Sequence, residues 1–124
     1  MKNDDKAVRV ISDVAAQGDV MFVRVDVIPD EAVPMPADEG RHILAHSETG
    51  HHHWTAADGV ERFQGPETDV SVCYLRVADD GRAGADIVHD RSFDTHGTLR
   101  LVPGLWKAIR PREHTPEGFR QIED

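Results

Sequence analysis

Asp19-Val20-Met21-Phe22-Val23-Arg24-Val25-Asp26-Val27-Ile28 is the stretch that decides the fold class. Met21, Val23, Val25 and Val27 alternate with Phe22, Arg24 and Asp26. Successive side chains of an extended strand point to opposite faces, so a period of two predicts a strand. The expected buried face is the Met21, Val23, Val25, Val27 side, with most of the other face in water.

Working outward, the same signature repeats between turn signals. Arg41–His46 and His51–Ala56 flank Ser47-Glu48-Thr49-Gly50 and read as a hairpin, and Asp58-Gly59 makes a tight turn into Val60–Phe63. Gly65-Pro66 breaks the chain before Val70–Val77, a run apolar on both faces as a central strand requires. Asp80-Gly81 turns again, and Ala85–His89 is a short strand. Thr98–Leu101 is expected to meet Leu105–Arg112 across Pro103-Gly104, where proline and glycine suit a type II turn. Pro29 to Gly40, with Pro29, Pro34 and Pro36 among acidic residues, reads as an exposed loop. Seven or eight short strands at this spacing predict an all-β domain, a small antiparallel sandwich or barrel. Over Ala7–Gln17, Val10, Ile11, Val14 and Ala15 fit a helical stripe, and Val8 and Val10 fit a strand almost as well. The expected layout is an N-terminal arm over 1–18, the β-domain over 19–113 and a polar tail over 114–124.

Composition limits what such a domain does. The chain has 124 residues with 39% apolar side chains, enough for one core. Asp and Glu number 23 against 14 Lys and Arg, giving a net charge of −9. That charge is repelled by phosphate backbones and anionic headgroups, so neither nucleic acid nor membrane is expected as a partner. Met1–Lys6 reads MKNDDK with no apolar run behind it, which predicts no secretory leader. The single cysteine, Cys73, excludes a disulfide within the chain and suits a cytoplasmic location, or a virion for a phage-encoded chain. Cys73 lies in an apolar run and is expected to be a small buried hydrophobe.

The chemical lead is histidine. There are eight, and His42, His46, His51, His52 and His53 crowd one region. A hairpin closed by Ser47–Gly50 pairs His46 with His51, Ala45 with His52, Leu44 with His53 and Ile43 with Trp54. Alternation then puts His46, His51 and His53 on one face, with His42 further along it. Opposed Cβ atoms lie about 4.5–5.5 Å apart, close enough for several imidazoles to meet one divalent ion such as zinc. His96 is the fourth candidate ligand, and His89 a weaker one.

A strand-borne His-x-His with a distant histidine is weakly similar to cupin metal sites. However, the carboxylate expected after His53 falls near Asp58, in a turn, and Pro103-Gly104 lacks the cupin Pro-x-Gly spacing. A second resemblance covers roughly Gly18 to Glu113. Gly18-Asp19-Val20, Gly50-His51-His52-His53, and His96-Gly97-Thr98-Leu99-Arg100-Leu101-Val102-Pro103-Gly104 followed by Arg110-Pro111-Arg112-Glu113 resemble a group of small uncharacterised bacterial and phage proteins. Members of that group often carry a histidine where this chain has Phe93. The resemblance implies a shared fold and no particular activity.

Trp54 and Trp106 are expected to pack in the core or at an edge. No Ser–His–Asp order, phosphate-binding glycine loop, CxxC or HExxH occurs. No catalytic residue is therefore assigned. The sequence favours a non-catalytic β-domain that works through contacts with a protein partner or with itself, as a homo-oligomer or as a component of a larger assembly such as a phage particle. The alternative is a histidine-cluster protein, extending to a cupin-like enzyme, that binds a divalent metal through His46, His51, His53 and His96.

Overall fold

The computed structural model describes residues 8–45, 52–65, 72–89 and 97–110. Among them are eleven strands and no helix: β1 (Arg9–Ile11), β2 (Val14–Gln17), β3 (Val20–Val25), β4 (Val33–Met35), β5 (Arg41–Ala45), β6 (His53–Ala56), β7 (Val60–Gln64), β8 (Val72–Val77), β9 (Ala85–His89), β10 (Leu99–Leu101) and β11 (Gly104–Ile109). They form a five-stranded sheet ordered β1-β10-β9-β6-β5 and a six-stranded sheet ordered β2-β3-β11-β8-β7-β4. The chain is the all-β sandwich that its alternation predicts, with more and shorter strands than the seven or eight expected.

The ambiguous stretch before residue 18 resolves as extended chain. Arg9–Ile11 pairs parallel to Leu99–Leu101, and Val14–Gln17 pairs antiparallel to Val20–Val23. The 29–40 stretch is not all loop: Val33–Met35 pairs with Arg62–Gln64 as an edge strand. Pro34 is tolerated there because an edge leaves one side of the strand without ladder partners. Pro103-Gly104 does not close a hairpin. β10 and β11 lie in different sheets, so the chain crosses the sandwich at this point. Asp58-Gly59 does the same between β6 and β7. Turn residues show where the chain bends, but not whether the strand that follows stays in the same sheet.

The face assignment of the deciding strand is reversed. Val20 and Phe22 are buried, whereas Met21 is 38% exposed. Phe22 lies in register with Ala15 on one side and Ala108 on the other, and two small neighbours leave room for its ring between the sheets. Counting apolar residues favours the Met21 face. Packing favours the face carrying the largest ring, because an aromatic side chain buries far more surface than a valine. Arg24, on the Phe22 side, escapes the core at the strand end and donates to the carbonyls of Ser12 and Pro103. Phe22 joins Trp106, Leu75, Ile87, Leu99 and Leu101 in the core. Trp106 is fully buried, and its indole N–H donates to Val102 O at 3.0 Å. Cys73 is buried as expected.

These two faces differ in energetic consequence. In urea unfolding, Phe22→Ala is expected to lower stability by about 3–5 kcal/mol. Met21→Ala should change it by roughly 0.5 kcal/mol. The opposite ranking would restore the face assignment read from the alternation.

Candidate functional site

The β5–β6 hairpin carries the histidine lead. Ile43 opposes Trp54 as expected, but the register then shifts, so Ala45 opposes His53 and Leu44 is the irregular residue. The expected pairings of Leu44 with His53 and Ala45 with His52 are therefore corrected by one residue. A bulge places two residues of one strand against one of its partner, and here it keeps both Leu44 and His53 directed inward. His46, His51 and His96 lie outside the described residues. Of the four candidate ligands, the structure places His53.

His53 is buried at one end of the sandwich. Its ring stacks on His89 of the neighbouring β9, with centroids 4.0 Å apart and planes 12° from parallel. Facing it from the other sheet is the β2–β3 hairpin, whose loop is Gly18-Asp19. Gly18 has φ +60°, and positive φ at the first loop position alone is the pattern of a II′ turn. A Cβ at Gly18 would lie 2.9 Å from His89 Cε1 and 3.3 Å from His53 Cε1. Glycine is thus required twice at this position, for the backbone angle and for the approach to the two rings.

The turn is flanked by Gln17, which is buried and spans both sheets. Its amide nitrogen donates to Ile87 O at 2.8 Å and to Gly97 O. Because that nitrogen is committed to two carbonyls, Gln17 Oε1 must be the end that meets His53 Nδ1, at 2.8 Å. An amide oxygen only accepts, so Nδ1 carries the proton and Nε2 of the neutral ring holds the lone pair. Nε2 faces Asp19 Oδ1 at 3.3 Å. Charge-assisted N–H···O bonds are shorter, about 2.7–2.9 Å. The contact is therefore longer than a charge-assisted hydrogen bond, as a neutral ring with no proton on Nε2 requires. The other Asp19 oxygen accepts from Arg110 Nε at 2.9 Å.

Electrostatics agree with a neutral ring. Burial, together with the neighbouring His89, outweighs the Asp19 carboxylate and lowers the His53 pKa from 6.5 to about 4. Partial burial of Asp19 raises its pKa, but the Arg110 hydrogen bond and charge more than offset this and hold it below the usual carboxylate value. At neutral pH the site is a neutral imidazole beside a carboxylate that is itself paired to a guanidinium.

His42, expected further along the same face, is also buried. Its Nε2 lies 3.0 Å from Val60 O, so it donates to a backbone carbonyl between the sheets. Trp54 lies half-buried on the outer face of the five-stranded sheet, with the Arg41 guanidinium 4.8 Å from its ring centre. Among the described residues, no three His, Cys, Asp or Glu side chains converge to hold a metal ion.

Sequence reasoning misses Gln17 entirely. It reaches Asp19 only as the first residue of the deciding strand and as part of a resemblance motif, and Arg110 only as part of that resemblance. The usable signal is that motif: Gly18-Asp19-Val20, His53 and Gly97 come from three separate segments of the resemblance and meet at one end of the fold.

The depressed His53 pKa has a measurable consequence. The unfolded chain protonates this histidine near pH 6.5, whereas the folded chain does so only near pH 4. Between those values the unfolded state binds more protons, so stability is fully present above pH 6.5 and falls as pH drops toward 4. The loss is on the order of 3 kcal/mol. Denaturant titrations across this interval should show that slope in the parent chain and a shallower one in His53→Gln. Equal slopes would contradict the assignment. Asp19, held below the usual carboxylate pKa, loses its contribution at the acidic end of this interval and beyond it.

Comparison with curated proteins and comparison with solved structures each find no match. A family model does match, over residues 16–111, which takes in every side chain described at this end of the sandwich. The chain therefore belongs to the family described as Domain of unknown function (DUF8820).

Proposed function

We propose that this is a non-catalytic β-domain that works through protein–protein contacts, as a homo-oligomer or as a building block of a larger assembly such as a phage particle. One observation carries the reading, the outward face of the six-stranded sheet. Val14 and Ala16 of β2, Met21, Val23 and Val25 of β3, and Leu105 and Ile109 of β11 share that face in register. Val14 remains 53% exposed and Met21 38%. Scattered apolar residues on a surface are ordinary, but a contiguous apolar patch is characteristic of an interaction site. Lys107 is the only charged side chain among the outward residues of these three strands, in a chain of net charge −9. The resemblance to small bacterial and phage proteins is compatible with this role.

The test is cross-linking in the producing cells from a photoreactive amino acid substituted at Val14. A cross-linked product heavier than 13.8 kDa, lost when Met21→Asp is added, is the expected result. No product in any growth condition would overturn the reading.

A second reading, a histidine-cluster protein holding a divalent metal such as zinc through His46, His51, His53 and His96, has one supporting feature. Gln17 ties down Nδ1 of His53. Metal-bound imidazoles commonly have this kind of outer partner, which orients the ring and leaves Nε2 as the donor to the ion. Elemental analysis of untagged protein should then find one metal per chain, reduced by His51→Ala with His53→Ala. Metal well below one per chain, and unchanged by those substitutions, would end this reading.

A further inference from the structure

Among the described strands the sandwich has four open edges, and three of them are protected against pairing. β1 is three residues long and carries Arg9. β4 is three residues long and carries Pro34. β5 has an irregular register between Ile43 and Ala45 and carries Arg41. Charge, proline, short length and bulges are the devices that keep sheet edges from joining. β2, Val14-Ala15-Ala16-Gln17, is four residues long, lacks charge and proline, and its ladder with β3 is unbroken.

The hydrogen-bonding direction of β2 follows from its turn. Gln17 and Val20 flank a two-residue loop and form the first hydrogen-bonded pair, so by alternation Ala15 also faces β3. The N–H and C=O groups of Val14 and Ala16 therefore point to the open side. Resting on the contact role proposed above, we infer that β2 pairs antiparallel with β2 of a second copy of this chain. The pairing joins two six-stranded sheets into one.

The register is fixed by which groups are available. Val14 of each copy faces Ala16 of the other, so that all four outward N–H and C=O groups of each copy are used. Ala15 then sits on the twofold axis opposite itself, and Asp13 falls opposite Gln17 of the second copy rather than opposite another carboxylate. An interface of this kind is isologous, the same patch on both copies, as closed twofold dimers require. Charge selects the same place. Two chains of net charge −9 repel each other, and the outward side chains of β2, β3 and β11 contain no carboxylate. The apolar stripe of Val14, Ala16, Met21 and Val23 then continues across the axis from one copy to the other.

Light scattering during gel filtration of the full chain tests the pairing, with two variants. The parent chain is expected at twice 13.8 kDa. Ala16→Pro removes one outward N–H without touching the ladder to β3, and it should run as a monomer with unchanged circular dichroism. Ala15→Cys should form a disulfide-linked dimer under mild oxidation, because residues opposed in a non-hydrogen-bonded antiparallel pair lie about 4.5 Å apart at Cα, within disulfide reach. Cys73 is buried and should leave the parent chain uncross-linked. A parent dimer that survives Ala16→Pro, with no disulfide formed in the Ala15→Cys variant, would place self-association elsewhere and overturn the pairing while leaving the contact role intact. A parent chain monomeric at every concentration would overturn it as well, and in-cell cross-linking from Val14 to a different protein would show that the contact role survives.

Discussion

The Gln17 side chain hydrogen-bonds to a histidine and to two backbone carbonyls across the interior. It lies on the six-stranded sheet, and its amide joins His53 Nδ1, Ile87 O and Gly97 O, groups on or beside strands of the five-stranded sheet. Elsewhere the two sheets meet mainly through apolar contacts, which favour burial but do not specify a direction. A buried amide with all its partners in place specifies one arrangement, because shifting either sheet would leave a polar group unpaired at about 1–3 kcal/mol each. The position of the β2–β3 turn over His53 and His89, and the absence of a side chain at Gly18, follow from that junction.

From the same junction comes the electrostatic character of this end of the fold. Once Gln17 fixes the Nδ1–H form of His53, the second nitrogen is left facing Asp19, and Asp19 in turn holds Arg110 at the end of β11. The family match runs from residue 16 to residue 111 and so begins beside Gln17 and ends beside Arg110. The other broad surface of the molecule differs in kind. The outward face of β2, β3 and β11 has no carboxylate among its side chains, and it is the face on which the proposed contact role rests. A polar end organised inward and an apolar face turned outward are separate features of one small sandwich.

Much of this is legible in the sequence. Alternation over Asp19–Ile28, Val60–Phe63 and Ala85–His89 is enough to establish an all-β domain, and the apolar run ending at Val77 marks an interior strand. The face of β3 is misread because the odd-numbered apolar residues outnumber Phe22 and Val20. One phenylalanine between Ala15 and Ala108 fills more of the core than their number suggests, and those neighbours are set by register, which a single strand does not reveal. The one-residue shift at Leu44 is likewise invisible, since a bulge leaves no mark in a period-two pattern. The chain does bend at Asp58-Gly59 and Pro103-Gly104, yet both lead between sheets, Pro103-Gly104 without the expected hairpin turn, and local residues carry no information about which sheet receives the next strand. Gln17 escapes notice for a related reason: its partners lie 36 and 70 residues away.

The central claim concerns one proton, and nitrogen-15 NMR of the histidine rings observes it directly. At neutral pH the ring of His53 should show a protonated Nδ1 and an unprotonated Nε2, and it should titrate near pH 4. A proton found on Nε2, or a ring that titrates at the ordinary value near 6.5, would mean that Gln17 does not hold His53 as described and that the junction between the sheets is made in some other way.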